Sequence, residues 1–289
     1  MNNAFPPTHL LHKIRTHTGE WGDTFCTLLK TVFETSQSIL KVRNHGLQTL
    51  QKPDGSPVTN ADKIAQEIIL KDIHALPTPF SKITIVSEEL PPLPKASPQG
   101  DFWLIDPLDG TKGFIKGRPE FCINIALLRN GKTIFGLVGV PDRHLIYLAA
   151  EGTGAWKINI KTASFEQIHC RKLTAETLAQ EGLRVVASTR PNSRSLLYKH
   201  LEKNCGNPKI STIQEMGSAV KILEIAEGNA DYYYQPGPTM AWDISAPQII
   251  LEEAGGIIRK LDGHRLSYGK DDWKNSIFEV IGTSETLLD

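Results

Sequence analysis

Two acidic residues three positions apart follow directly on a short apolar run, and this stretch constrains the fold more than any other. Residues 103–105 are apolar and indicate the end of a buried strand, and Asp106 and Asp109 come immediately after them. A proline and a glycine turn the chain out of the strand, so that both carboxylates and the Leu108 carbonyl can face one place. Carboxylates this close repel each other unless a cation lies between them. The alternative is an ordinary turn with solvated acids.

The residues that follow supply groups for an anion beside that cation. Thr111 carries a hydroxyl, and the backbone N–H groups of Gly110 and Thr111 are placed to meet an anion at the end of the turn. A cation and an anion together predict a metal-assisted phosphate site.

The charge balance excludes partners that are recognised through a global field. The 289 residues include 32 Lys and Arg and 32 Asp and Glu, so no net charge attracts nucleic acid or an anionic membrane. The apolar runs at residues 123–128 and 134–140 are far shorter than the roughly 18 residues of a membrane span. Residues 1–20 resemble a loose leader without a signal-peptide core. We expect a cytoplasmic protein with a small-molecule partner, and we leave open its oligomeric state and peripheral association with a membrane.

Further acids stand at the ends of other predicted elements. Asp62 lies in the first turn of a helix, and Glu88 and Glu89 follow a β-branched strand at residues 83–86. A proline-rich loop then leads back to the first acid pair and can bring the two strands side by side. Asp243 begins a helix after a Gly-Pro turn. Each acid also has an ordinary interpretation: a helix-stabilising charge, exposed loop charges, and an N-cap.

Strand and helix signals divide the chain into two halves. Asn-Gly at residues 130–131 between two apolar runs favours a hairpin, and strands at residues 145–150 and 155–160 extend an antiparallel meander. After about residue 180, strands and helices alternate as in an α/β layer. The predicted division is 1–20 (loose leader), 21–180 (α+β half with an antiparallel sheet and most metal ligands) and 181–289 (α/β half with substrate-binding residues).

The joint order of these motifs is more specific than any of them alone. The pattern V-T-x-x-D, S-E-E, D-P-L-D-G-T and W-D-x-x-A-P-x-x-x-x-x-E-A-G-G runs from Val58 to Gly256. It resembles the inositol monophosphatase superfamily of lithium-sensitive phosphatases. The resemblance implies a layered αβαβα sandwich of mixed α+β and α/β class, with metal ions between the two halves.

The resemblance also implies which residues hold metal. Asp106 would bridge two Mg²⁺ ions, one shared with Glu88 and the other with Asp109 and Asp243, and Asp62 would lie near a third, weaker site. Mg²⁺ favours oxygen ligands, and two metals about 3.5–4 Å apart can stabilise the attacking and leaving oxygens of an in-line displacement. The predicted metal ligands are Glu88, Asp106, the Leu108 carbonyl, Asp109, Asp243 and Asp62.

The catalytic roles implied by the resemblance involve a water molecule as nucleophile. Asp62 and Thr111 would orient that water, Glu88 would act beside them, and Glu89 would support the ligands from behind. No Ser, Cys or His nucleophile is required for such a reaction.

Details of the pattern resemble the bacterial CysQ-like 3′(2′),5′-bisphosphate nucleotidases. The last motif has the form Gly-Pro-Thr-Met-x-Trp-Asp, and Lys221 stands where a second phosphate needs a cation. Gln235 replaces an arginine of that subfamily pattern, which removes a bidentate phosphate partner. The predicted substrate-binding residues are Gly110, Thr111, Ser188, Thr189, Arg190, Gly217, Ser218, Lys221 and Asp243.

The predicted activity is therefore Mg²⁺-dependent phosphomonoester hydrolysis. Metal-activated water would remove the 3′-phosphate of adenosine 3′,5′-bisphosphate and leave AMP and phosphate. Inositol 1-phosphate or another sugar phosphate is the alternative substrate. A non-catalytic nucleotide or metal sensor is the alternative class, and the full set of acids argues against it.

Overall fold

A computed structural model describes residues 5–90, 98, 100–269 and 272–283 of the chain. Its α-helices are α1 (Thr8–Thr18), α2 (Gly22–His45), α3 (Asn60–His74), α4 (Thr111–Ile115), α5 (Ala175–Glu181), α6 (Ser193–Asn204), α7 (Val220–Ala226) and α8 (Ala241–Glu253). Its strands are β1 (Thr49–Gln51), β2 (Pro57–Thr59), β3 (Thr84–Ser87), β4 (Asp101–Asp109), β5 (Cys122–Arg129), β6 (Lys132–Val140), β7 (Leu145–Ala150), β8 (Ala155–Asn159), β9 (Ser164–Ile168), β10 (Leu183–Ser188), β11 (Ile210–Met216), β12 (Tyr232–Gln235), β13 (Ile257–Lys260) and β14 (Phe278–Ile281).

Two sheets form the framework. The first has the strand order β3-β4-β5-β6-β7-β8-β9 and is antiparallel except for the parallel pair β3 and β4. The second has the order β11-β10-β12-β14-β13, and in it β10 runs parallel to both of its neighbours. Strands β1 and β2 form a separate antiparallel hairpin just before α3.

Both faces of the first sheet are buried, which explains its long apolar runs. On β5, Ile123 and Ile125 belong to one hydrophobic core and Ala126 and Leu128 belong to another, because successive side chains point to opposite faces. Helix α8 packs closely against β6, where a Cβ on Gly136 would lie only 2.6 Å from the Ala246 carbonyl oxygen.

The layers alternate between helices and sheets. Helices α1, α2 and α3 cover the outer face of the first sheet, and α7 and α8 lie between the two sheets. Helices α5 and α6 cover the outer face of the second sheet. The predicted αβαβα sandwich is confirmed, and its central helical layer brings α8 against the strand that carries the acid pair.

The N-terminal segment differs from the predicted loose leader. From Thr8 onward it forms α1, whose Leu10 and Ile14 are fully buried against α2 and the first sheet. Apolar residues four positions apart make one face of this helix, and several histidines and prolines around them obscure the pattern in the sequence. Over the residues that the structure describes, no helix is both long and apolar enough to cross a membrane.

Candidate active site

A bulge in strand β4 presents two carboxylates on one face of the first sheet. Asp106 pairs with Asn124, and Asp109 pairs with Cys122, so three steps along β4 match two along β5. Cross-strand partners share a face, and therefore both acids point toward the central helical layer. The acids belong to the strand itself, and the turn expected beside them begins only at Gly110, whose φ is 93°.

Three carboxylates from three elements converge at this point. Glu88 follows β3, Asp106 lies in β4 and Asp243 lies in the first turn of α8, and one oxygen of each lies within 4.8 Å of the others. The backbone N–H of Glu88 donates to the Ile105 carbonyl at 3.1 Å, which holds Glu88 beside β4. The proline-rich loop expected to bring these strands together lies mostly outside the described residues.

The donor set fits a divalent cation. Asp106 Oδ1 accepts a hydrogen bond from the Leu108 backbone N–H at 3.0 Å, whereas its Oδ2 is buried and has no hydrogen-bond partner among the described residues. A buried carboxylate oxygen without a donor is costly unless a cation binds it. Carboxylate and carbonyl oxygens are the ligands that Mg²⁺ prefers.

The electrostatics of the cluster agree with this fit. Burial raises the pKa of Asp106 well above its usual range, and the charges of Glu88, Asp109 and Asp243 raise it further. Burial likewise raises the pKa of Asp109 and that of Asp243. A divalent cation reverses these shifts because it favours the ionised carboxylates.

Asp62 and Thr111 form a hydrogen-bonded pair beside the cluster. Asp62 Oδ2 accepts from the backbone N–H of Thr59 at 2.8 Å and from its hydroxyl at 2.6 Å, which closes a capping box on α3. Asp62 Oδ1 accepts from Thr111 Oγ1 at 3.2 Å, and that hydroxyl also lies 3.0 Å from the Leu108 carbonyl oxygen. Burial raises the pKa of Asp62, and the hydrogen bonds from Thr59 and Thr111 oppose the rise. One carboxylate oxygen stabilises the helix and the other faces the site.

Lys52 is a functional candidate that the sequence reasoning missed. It follows β1 in the hairpin before α3, and its Nζ lies 2.8 Å from Glu88 Oε1 and 2.5 Å from Glu89 Oε1. The ammonium therefore neutralises both glutamates at the edge of the acidic cluster. The sequence does show Lys52 as a cation in the turn-rich segment before Asp62. It does not show that the hairpin folds over Glu88.

Lys221 is buried in the central layer and is not a solvated helix lysine. It is 7 % exposed, its Nζ donates to the Ser218 carbonyl at 2.6 Å, and it lies 5.2 Å from the centre of the Tyr233 ring. Burial lowers its pKa to about 8, the Asp109 carboxylate opposes the shift, and the Arg190 cation acts in the same direction as burial. The Lys221 ammonium therefore interacts electrostatically both with the acidic cluster and with a second cation, Arg190.

The predicted substrate-binding residues meet in one cleft of 640 Å³. Glu88, Asp106, Leu108 and Asp109 line the same cleft, whereas Asp62 lies behind Thr111. The structure thus brings the predicted residues together, and their individual roles stay predictions. Cations near α4 also line the cleft and were not predicted: Lys112, Lys116 and Arg118.

Gln235 contributes no free amide group to the cleft. Its side chain is 2 % exposed, Oε1 accepts a hydrogen bond from the Tyr233 hydroxyl, and Nε2 donates to the Gly237 carbonyl at 2.7 Å. Both ends of the amide are therefore used, one by Tyr233 of β12 and the other by Gly237 in the loop that follows. Gln235 therefore does not take the place of the arginine that the subfamily pattern has at this position.

Comparison with known proteins gives the family. Residues 18–279 match the inositol monophosphatase family. The chain belongs to this family. It is 37 % identical over 236 residues to the 3′(2′),5′-bisphosphate nucleotidase CysQ of Salmonella typhimurium, which covers 81 % of this chain and 89 % of that protein. The CysQ nucleotidase of Escherichia coli strain K12 is 36 % identical over the same shares of both chains.

A solved structure supports the same grouping. CysQ from Bacteroides thetaiotaomicron, described as a bacterial member of the inositol monophosphatase family, superposes with a TM-score of 0.71 at 28 % identity. The superposition covers 91 % of this chain and 98 % of that one. The αβαβα layers of this chain are therefore those of a known family fold.

Proposed function

We propose that the protein is a Mg²⁺-dependent phosphatase that removes the 3′-phosphate of adenosine 3′,5′-bisphosphate and releases AMP. The main support for this proposal is that the carboxylates of Glu88, Asp106 and Asp243 converge and leave the buried Asp106 Oδ2 without a hydrogen-bond donor among the described residues. The same cleft contains Lys221. The similarity to CysQ nucleotidases over most of the chain supports the choice of substrate. Mg²⁺ dependence is a property of the family, and the binding of two ions, with a third near Asp62, is part of this proposal.

The predicted ligands of the two metal ions come from just after β3, from β4 and from the first turn of α8. Glu88, Asp106 and the Leu108 carbonyl would hold one Mg²⁺, and Asp106, Asp109 and Asp243 would hold the other. When bound, the ions neutralise the carboxylates and stabilise charge on the attacking and leaving oxygens.

The Asp62 and Thr111 pair would position the nucleophile. Asp62 Oδ1 is the acceptor on the cleft side, and its hydrogen bond with Thr111 Oγ1 fixes the hydroxyl at 3.2 Å. A water molecule that donates to Thr111 Oγ1 would pass a proton through that hydroxyl to Asp62 Oδ1 as its oxygen bonds to phosphorus. The bond from phosphorus to the ribose 3′-oxygen would break, and a proton from solvent would complete the 3′-hydroxyl of AMP. The capping box on the other carboxylate oxygen keeps Asp62 in one orientation throughout, and this limits the loss of alignment during the reaction.

The test is a phosphate-release assay with adenosine 3′,5′-bisphosphate, inositol 1-phosphate and fructose 1,6-bisphosphate. We expect the first substrate to have the highest kcat/KM, EDTA to abolish turnover, Mg²⁺ to restore it, and lithium to inhibit it. An Asp106→Asn variant serves as the matched control, because it removes the central charge without changing size. Full activity in metal-free buffer would contradict metal dependence, and preference for a sugar phosphate would contradict the substrate.

A further inference from the structure

The guanidinium of Arg190 lies where the active-site cleft joins a neighbouring groove. Arg190 follows β10 and lines both the cleft and a groove of 560 Å³ that is bounded by residues 188–195, Tyr198 and Glu215. Its Nη1 donates to the Pro238 carbonyl at 3.2 Å. It is exposed, and no carboxylate among the described residues forms an ion pair with it. A guanidinium carries five N–H donors, so others are available to an anion.

The wall of the cleft beneath Arg190 has no cation of its own. Residues 235–239 read Gln-Pro-Gly-Pro-Thr, and both ends of the Gln235 amide are occupied. Arg190 reaches across from β10 to this loop through the Pro238 carbonyl. A cation supplied by one element therefore covers a wall built by another.

The two cations of this side of the cleft differ in their surroundings. Lys221 is buried, its Nζ is held by the Ser218 carbonyl, and the Asp109 carboxylate lies close enough to offset its charge. Arg190 is exposed and forms no ion pair with a carboxylate of the described residues, although its charge acts on Asp243. A phosphate dianion that binds beside Lys221 would therefore gain a second cationic partner in Arg190. Planar guanidinium groups bind phosphate through two parallel hydrogen bonds.

We propose that Arg190 binds the non-reacting 5′-phosphate of the substrate and sets the preference for a bisphosphate over a monophosphate. The inference rests on the proposed function, since it assumes that the reacting phosphate lies at the carboxylate cluster. The nucleoside would then extend from the cleft toward the groove beside Tyr198. This arrangement makes Arg190 the specificity-determining residue on the wall that Gln235 leaves uncharged.

The experiment compares two substrates that differ only in the 5′-phosphate. The Arg190→Gln variant should lose about 10- to 100-fold in kcat/KM for adenosine 3′,5′-bisphosphate and less than about threefold for adenosine 3′-monophosphate. Arg190→Lys should recover part of the loss, since lysine keeps the charge but not the planar pair of donors. The matched control is Arg118→Gln, which removes an exposed cation that lines the cleft near α4 and should change the ratio of the two kcat/KM values by less than about threefold.

A binding measurement keeps this inference separate from the proposed function. The affinity for AMP, measured by calorimetry with Mg²⁺ present, should fall about 10- to 100-fold in Arg190→Gln, because AMP retains the 5′-phosphate. If AMP affinity falls in Arg190→Gln but the wild-type protein releases no phosphate, the role of Arg190 in binding the 5′-phosphate is supported. Only the proposed activity is then contradicted. Equal losses on both substrates, unchanged AMP affinity, or the same change of ratio in Arg118→Gln would overturn the role of Arg190.

Discussion

At the scale of single residues, the two carboxylate oxygens of Asp62 have different partners, and this predicts how Asp62→Asn changes catalysis. Oδ2 bonds to Thr59, the N-cap of α3, and Oδ1 bonds to Thr111 beside the cleft. In Asp62→Asn, the two donors of Thr59 keep the amide oxygen on the helix side, so the amide NH₂ faces Thr111 where an acceptor had been. We expect kcat to fall about 10²- to 10⁴-fold, the usual contribution of a positioned acid or base. Steady-state kinetics and calorimetric titration with Mg²⁺ should show that binding of the first ions is nearly unchanged.

The control for Asp62→Asn is the same exchange at an acid far from the cleft. Asp23→Asn alters an exposed carboxylate in the first turn of α2, where it pairs with Arg15, and should leave kcat within about twofold of wild type. A near-normal kcat in Asp62→Asn would show that Asp62 neither positions the attacking water nor accepts its proton.

The carboxylates could be anticipated from sequence because their positions at strand ends and helix starts constrain them. The neighbours that complete the site could not. Lys52 is 36 residues from Glu88, and its contact depends on how a hairpin folds over another strand. The occupied amide of Gln235 is a matter of side-chain orientation at the end of β12, which no spacing pattern records.

At the scale of elements, the β1 and β2 hairpin places the Lys52 ammonium against Glu88, where we expect it to compete with a metal ion. Lys52→Met removes the ammonium that lies 2.8 Å from Glu88 Oε1. Since a partly exposed ion pair contributes up to about 1 kcal/mol, we expect the variant to bind Mg²⁺ about fivefold more tightly. Calorimetric titration of metal-free wild type and variant measures the difference directly.

Removing any positive charge near the cleft could tighten Mg²⁺ binding, even without a contact to Glu88. A second lysine separates this general effect from the loss of the Lys52–Glu88 contact. Lys112 lines the same cleft, and within the described chain it forms no ion pair with a carboxylate. Lys112→Met should change Mg²⁺ affinity by less than about twofold. If both variants shift the affinity equally, the contact with Glu88 has no specific role.

Elements with strong local signals were predicted well, and elements that depend on packing were not. The Asn130-Gly131 hairpin is present, with φ values of 51° and 76°, as a tight turn between right-twisted strands requires. Helix α7 begins only at Val220, because Ser218 adopts a left-handed φ of 50° that ends the preceding turn. Strand β4 runs through the acid pair because β5 pairs with it beyond the bulge, a contact that lies outside any local window.

At the scale of the whole molecule, the layer order came from the joint order of motifs and not from periodicity. Periodicity predicted an antiparallel part and an α/β part, but it does not say that α7 and α8 lie between two sheets. That arrangement follows from burial: α7 is buried along its whole length and so cannot lie on the surface. A helix that is buried on every side needs partners on both faces, and the Lys221 and Glu224 side chains of α7 bond to neighbouring groups in this layer.

The second sheet is joined to its outer helix through a buried polar cluster at Glu279. Glu279 Oε2 accepts from the Tyr232 hydroxyl at 2.6 Å and lies 3.3 Å from His200 Nε2, and Oε1 accepts from Arg259 Nε at 2.7 Å. Burial raises the pKa of Glu279, but the hydrogen bonds from His200, Tyr232 and Arg259 outweigh it, so the pKa lies below its ordinary value of 4.5. The ionised carboxylate thus links α6, β12, β13 and β14.

This cluster predicts how the stability of the whole chain depends on pH. A carboxylate whose folded pKa is depressed stabilises the fold above its unfolded value of 4.5, and the contribution is lost as pH falls through the folded value. Glu279→Gln should therefore lower the free energy of unfolding by about 3 kcal/mol at pH 7, and the difference from wild type should narrow below pH 4.5. Urea unfolding between pH 7 and the acid limit measures it. Glu181→Gln, at an exposed carboxylate of α5, should cost less than about 1 kcal/mol throughout. Parallel curves for wild type and Glu279→Gln would show that the carboxylate charge does not hold these elements together.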